Sequence, residues 1–139
     1  MTLYKEIDML KNNSKLVRRP WGTYHKIYQE CGVWVKRVEV DPGSRLSLQK
    51  HNHRSEKWII VSGEGLVVVN NLTVTVASGS VVDIPVRVLH RMANMGKEPL
   101  VFIEVACGNK LTEEDIVRLQ DDFDRIIGAG GAIKQKKPR

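Results

Sequence analysis

The sequence predicts an all-β barrel or sandwich of short strands followed by one short C-terminal helix. Three observations predict it. Between Trp21 and Ala106, runs rich in Val, Ile and aromatics recur at short intervals. Turn residues separate them at regular spacing, the pattern of sandwiches and barrels. Only one stretch, after the last run, carries helical periodicity. The runs are 23–28, 33–40, 45–51, 57–62, 65–70, 72–77, 81–85, 90–94 and 100–107. Asp41-Pro42-Gly43, Ser62-Gly63-Glu64-Gly65, Ser78-Gly79 and Asn94-Met95-Gly96 are the turns. Asn70-Asn71 between two valine-rich runs reads as a tight hairpin, because Asn tolerates positive φ. In the last element Thr112 is the candidate N-cap and Glu113, Glu114 and Asp115 occupy the first turn, where the dipole favours acids. Ile116, Leu119 and Phe123 form its apolar face.

A chain of 139 residues with 42% hydrophobic residues supports one domain with a sizeable core. The expected organisation is an N-terminal arm (1–16), a barrel with its helix (17–125) and a basic tail (126–139). The net charge of +6 sits on the ends: residues 1–19 carry +3 and 126–139 carry +4. That distribution argues against specific nucleic-acid binding, since no aromatic-plus-basic strand pattern or zinc-finger spacing accompanies it. No apolar run approaches the roughly 20 residues of a membrane span, and the start has no secretory h-region. Cys31 and Cys107 are isolated and make no disulfide framework, so a cytoplasmic location is expected.

Two glycine-punctuated segments carry the chemistry. The first runs from Gly43 through Gln49, His51 and Glu56 to Gly63; the second runs from Gly79 through Pro85 and His90 to Asn94. Alternate residues of a strand share a face, so Gln49 and His51 can reach one ion, with Glu56 from the next strand and His90 from a distant one. Such a set leaves coordination positions open, as catalytic sites do. Imidazole, carboxylate and amide oxygen suit zinc first, with cobalt, manganese, nickel or iron as alternatives. The spacing resembles the metal-site pattern of the cupins, which implies a double-stranded β-helix (jelly-roll) barrel. This chain departs from that pattern at Gln49, usually histidine, and at Arg87, usually glycine. A neutral amide ligand leaves an ion electrophilic, suited to polarising a carbonyl.

A narrower resemblance follows from Arg19-Pro20-Trp21-Gly22, the run from Pro42 to Gln49, His53-Arg54-Ser55-Glu56-Lys57-Trp58, Val61-Ser62-Gly63, Ile84-Pro85, His90-Arg91, Ile103-Glu104-Val105 and Glu114-Asp115-Ile116-Val117-Arg118. Over about residues 17–125 these resemble the type II phosphomannose isomerases, whose cupin usually follows a mannose-1-phosphate guanylyltransferase half. The resemblance implies a metal-dependent aldose–ketose isomerase interconverting mannose 6-phosphate and fructose 6-phosphate. It places Gln49, His51, Glu56 and His90 at the metal and implies a free-standing isomerase domain, with a separate guanylyltransferase as a candidate partner. The sequence does not single out the proton-transfer residue: Lys36, Glu104, Arg118 and Arg125 are the candidates. Arg45, Arg54, Arg118 and Arg125 are the candidates for binding the substrate phosphate, because guanidinium forks match it. Two departures from this family are Asp124, usually glycine, and Lys57, commonly histidine. A homodimer paired through sheet edges is expected. The alternative function is a non-catalytic cupin binding a sugar phosphate or nucleotide sugar.

Overall fold

Val33–Val40 alternates buried Trp34, Lys36, Val38 and Val40 with half-buried partners, and it is a strand over just that range. The same period-2 logic organises the rest. The computed structural model describes residues 15–125; the readings on residues 1–14 and on the basic tail lie outside them. In chain order the strands are β1 (Leu16–Arg19), β2 (Gly22–Glu30), β3 (Val33–Val40), β4 (Leu48–Lys50), β5 (Arg54–Ser62), β6 (Glu64–Val69), β7 (Leu72–Ala77), β8 (Val81–Ile84), β9 (His90–Ala93), β10 (Leu100–Gly108) and β11 (Val117–Gln120).

They form two sheets, ordered β1-β2-β3-β10-β5-β8 and β11-β4-β9-β6-β7. All pairings are antiparallel. Trp58, Ile60 and Phe102 from the first sheet meet Val67 and Met92 from the second in one apolar cluster. Apolar burial of this kind is the main favourable term holding the sheets together. Polar residues that share the inward face surround a pocket, and those are the site residues.

The expected hairpin is present: Val69 pairs with Leu72, and Asn70 adopts φ 54°. Between 45 and 51 only Leu48–Lys50 is a strand, and Arg45 makes an isolated bridge to Ala93. The expected C-terminal helix is a correction: among the described residues there is no helix, and 117–120 is strand β11. β11 pairs with β4, setting Arg118 opposite Gln49. A helix there would leave β4 an unpaired edge with open backbone donors and acceptors. Helix propensity is a weak prior that such tertiary pairing overrides. Leu119, expected on the helix's apolar face, is exposed, and the expected first-turn acid Asp115 is buried. Strand β1 is an element that the pattern of runs does not reveal, because four residues ending in Arg-Arg carry little periodicity.

Both residues that replace a glycine of the resembling families adopt left-handed backbone: Arg87 at φ 66° and Asp124 at φ 56°. Glycine suits those positions because it has no Cβ to clash there.

Candidate metal centre and active-site pocket

His51 directly follows β4, Glu56 lies on β5 and His90 opens β9. Sheet pairing sets Gln49 directly opposite His90. All four side chains are buried and line one pocket. Ligand atoms of His51, Glu56 and His90 lie within 4.8 Å of one another.

The hydrogen bonds define the imidazole tautomers. His51 Nδ1 lies 2.6 Å from the Asp115 carbonyl oxygen, and His90 Nδ1 lies 2.9 Å from the Val88 carbonyl oxygen. A carbonyl only accepts, so each Nδ1 carries the proton and each Nε2 presents a lone pair. These Nε2 atoms face Glu56, His51 at 3.1 Å and His90 at 3.8 Å. Among the described residues, His90 Nε2 is buried with no hydrogen-bond partner. Buried polar atoms are nearly always satisfied, so an orphan nitrogen beside a carboxylate fits a divalent cation. Burial, ahead of the charges of His51 and Arg54, lowers His90 to about 4 despite the opposing Glu56 charge. Its nitrogen is therefore free of a proton at neutral pH. Burial pushes the Glu56 carboxyl up, but its histidine neighbours and the Arg54 guanidinium outweigh it and hold Glu56 below the usual carboxylate range. Gln49 turns its amide nitrogen to the Ser47 carbonyl at 3.5 Å.

Behind the triad stands a network anchored on two tryptophans. Trp58 Nε1 donates to Glu56 Oε2 (2.9 Å), and Trp34 Nε1 donates to Glu104 Oε2 (3.0 Å). Lys36 points inward, as the alternation of β3 predicts, over the rings of Tyr24 and Trp34 at 4.3 and 4.2 Å. It is paired with Glu113. Glu104 lines the pocket too, and burial followed by the Glu56 charge pushes its carboxyl up to about 8.

A stability prediction follows from Glu104. Below its ordinary value of 4.5 both the folded and unfolded states hold the proton, and the raised value has no consequence. Between 4.5 and about 8 the unfolded chain ionises first, so the group increasingly destabilises the fold. In metal-free protein, Glu104→Gln is expected to stabilise more at pH 8 than at pH 5. Urea unfolding at both pH values checks it, and an equal effect at both would sink the assignment.

The four candidate phosphate arginines separate. Arg45 makes a two-pronged ion pair with Asp122, at 2.7 and 2.8 Å, and does not line the pocket. Arg54 is buried, donating to Glu56 Oε1 (2.9 Å) and to the Thr112 carbonyl (3.0 Å). Arg54 lines the pocket and also lies 3.3 Å from His51 Nε2, whereas Arg45 stays outside it, and both guanidiniums are bound to partners within the protein. Arg118 and Arg125 line the pocket together with Arg19, which the sequence reading did not single out. Arg125 holds Asp121 through two oxygens, at 2.8 and 2.9 Å. The pairing of Arg118 with Asp122 that a helix would allow is absent, because Asp122 pairs with Arg45. Arg118 Nε is buried without a partner among the described residues, and burial followed by the charges of Arg125 and Arg19 lowers its pKa. His53 is exposed, away from the triad, although strand alternation would put it beside His51. Glu113 lines the pocket and Asp115 braces His51 from outside it, roles the sequence analysis does not assign. In the sequence both stand out only as members of the acidic cluster Glu113-Glu114-Asp115.

A two-sheet barrel with a His–Glu–His triad inside it defines a cupin. Solved structures agree on that fold. A Rhodospirillum rubrum protein described as a cupin-2 domain, Rru_A2000, superposes with a TM-score of 0.64 at 22% identity, covering 73% of this chain and 78% of its own. Oxalate decarboxylase from Lactobacillus farciminis superposes at 0.67 with 26% identity, over 78% of this chain and 34% of that one. Within the cupins, this chain belongs to the mannose-6-phosphate isomerase C-terminal family, whose model matches residues 6–121. Among relatives, the alginate biosynthesis protein AlgA of Pseudomonas aeruginosa is 45% identical over 109 residues, 78% of this chain and 23% of AlgA. Mannose-1-phosphate guanylyltransferase ManC of Salmonella typhimurium is 40% identical over 110 residues, 79% of this chain and 23% of ManC. The chain thus spans about a quarter of the length of these curated relatives. No helix among the described residues is long and apolar enough to cross a membrane.

Proposed function

We propose that this domain is a metal-dependent mannose-6-phosphate isomerase, interconverting mannose 6-phosphate and fructose 6-phosphate. The observation that carries the reading is one pocket shared by the His51–Glu56–His90 triad and an arginine cluster, Arg19, Arg118 and Arg125. A sugar phosphate needs both. His51, Glu56 and His90, with Gln49 beside them, would hold the divalent cation, zinc being the first candidate. When bound, the cation supplies Lewis-acid stabilisation of oxyanion charge at C1 and C2.

The chain's own groups do the rest. An aldose–ketose isomerisation moves a proton between C1 and C2 through an enediol. Arginine does not deprotonate in proteins, so Arg118 and Arg125 are unsuited as the base. Glu104, with its carboxyl at about 8, can take and return a proton near neutral pH. Lys36, paired with Glu113, stands opposite it on the neighbouring strand. Arg118 contributes an unpartnered buried Nε to the phosphate, and Arg19 and Arg125 add charge around it. Arg125 contributes less, because Asp121 already occupies its fork.

The test is a coupled assay of fructose 6-phosphate formation, with protein stripped by chelator and reloaded with zinc, cobalt, manganese or nickel. Turnover that depends on the metal supports the reading. Arg118→Ala is expected to raise KM for mannose 6-phosphate with little change in kcat. The lost charge-assisted hydrogen bond is about 2 kcal/mol, roughly thirtyfold. An unchanged KM would remove Arg118 from the phosphate site. Absence of turnover with every metal, from folded and metal-loaded protein, would overturn the isomerase reading and leave a sugar-phosphate binding domain.

A further inference from the structure

The segment between β10 and β11 crosses the triad, and its contacts converge on one residue. The Asp115 carbonyl accepts from His51 Nδ1 at 2.6 Å. The Asp115 carboxylate accepts from the backbone N–H of Asn52 (2.8 Å) and of His53 (2.9 Å), the two residues that follow that same histidine. Asp115 N–H closes a turn onto the Thr112 carbonyl at 3.2 Å, and Thr112 also receives Arg54, the guanidinium that holds Glu56. One residue thus grips the candidate ligand His51 at its ring and at the chain just beyond it. His90 has no such support from this segment: its Nδ1 is held by Val88, two residues away on its own chain.

We infer that Asp115 is a positioning residue for the metal centre, clamping the 51–53 turn with its carboxylate so that its own carbonyl holds His51 with Nε2 facing the cation. A carboxylate is required for the clamp because two neighbouring N–H groups point at one acceptor group, and it offers two oxygens. Without it those N–H groups lose their partners, the turn and the 112–116 segment separate, and His51 no longer has an acceptor that selects one tautomer. Outer-shell partners of this kind usually set metal affinity by about 10- to 100-fold. The inference rests on the triad being a metal centre and is independent of the reaction catalysed.

Zinc affinity by competition with a chelating dye, and imidazole tautomers by two-bond 15N–1H correlation spectra of the metal-free protein, test it. Asp115→Ala is expected to weaken zinc about 10- to 100-fold, and Asp115→Asn, which keeps one acceptor oxygen, by less. The His51 spectrum is expected to change from the Nδ1–H form to a mixture, while His90 stays Nδ1–H. Zinc affinity unchanged in folded Asp115→Ala overturns the inference. So does a variant in which His51 and His90 change alike, which would mark a general structural role. Should Asp115→Ala fail to fold, Asp115→Asn and the wild-type spectrum decide, because an Nε2–H His51 in the wild type is incompatible with the clamp. Wild-type protein that binds no zinc, cobalt or manganese overturns the metal centre and this inference with it.

Discussion

His90→Ala is expected to abolish metal binding and, on the proposed isomerase reading, to cost about 4 kcal/mol in turnover, roughly a thousandfold, the scale of Lewis-acid stabilisation lost with the ion. Among the described residues His90 Nε2 has no hydrogen-bond partner, so no other contact there takes over from a lost ion. The ring is almost fully buried and packs edge-on against Trp58, with centroids 5.5 Å apart. Truncation therefore also opens a cavity, and the variant is expected to lose stability without losing the barrel. Metal content by atomic absorption, circular dichroism and turnover are measured together on the purified variant. His25→Ala is the control: His25 is on β2, half-buried and outside the pocket lining, and its removal should leave metal content intact. Stoichiometric metal in folded His90→Ala would refute the ligand assignment even if turnover were lost.

Gly22→Ala is the substitution expected to damage the fold most. Gly22 adopts φ 150°, and a Cβ there would sit 2.0 Å from the Glu39 carbonyl oxygen and 3.2 Å from the Val40 Cα. Both atoms are backbone of the paired strand β3, so relief requires β2 and β3 to move apart where Gly22 pairs with Val40. The expected cost is about 3 kcal/mol, roughly a 10 °C fall in Tm for a domain of this size. Gly43→Ala separates clash from backbone preference. Its φ of 74° lies in the left-handed region, which L side chains enter at modest cost, and among the described residues no atom outside its chain neighbours lies within 4 Å of the added Cβ. It is expected to cost only about 1 kcal/mol. Equal losses in the two variants would show that strand contact at Gly22 is not what matters. Gly22 belongs to the Arg19-Pro20-Trp21-Gly22 run, and the contact with β3 gives that run a physical reason.

Legibility in the sequence tracked how local each signal was. Strands β3 and β7 were readable to the residue, because β-branched residues alternate there and turns bound them. The triad was readable because short β runs on either side hold His51, Glu56 and His90 in register. The C-terminal element misled because Ile116, Leu119 and Phe123 mimic a helical stripe. In the fold Ile116 lines the pocket, Leu119 faces solvent and Phe123 packs on the core cluster, three different environments along one extended segment.

Arginine roles were the least readable. Arg45, Arg54, Arg118 and Arg125 are chemically alike, and only the carboxylates and carbonyls brought near each one distinguish them. Asp122 takes Arg45, Glu56 takes Arg54, Asp121 takes Arg125, and Arg118 Nε is left without a partner among the described residues.

The sequence by itself determined the β architecture and the family, and placed the three triad residues within it. Period-2 alternation and glycine-bounded turns are properties of a few neighbouring residues, and they do not depend on what packs against them. Tertiary structure alone decided that 112–125 is a strap and strand rather than a helix, that Arg19 joins Arg118 and Arg125, and that Asp115 holds His51. Asp115 and His51 are 64 residues apart in the chain. Which acceptor a buried donor finds across such a separation depends on how the two sheets close, and no local pattern encodes that choice.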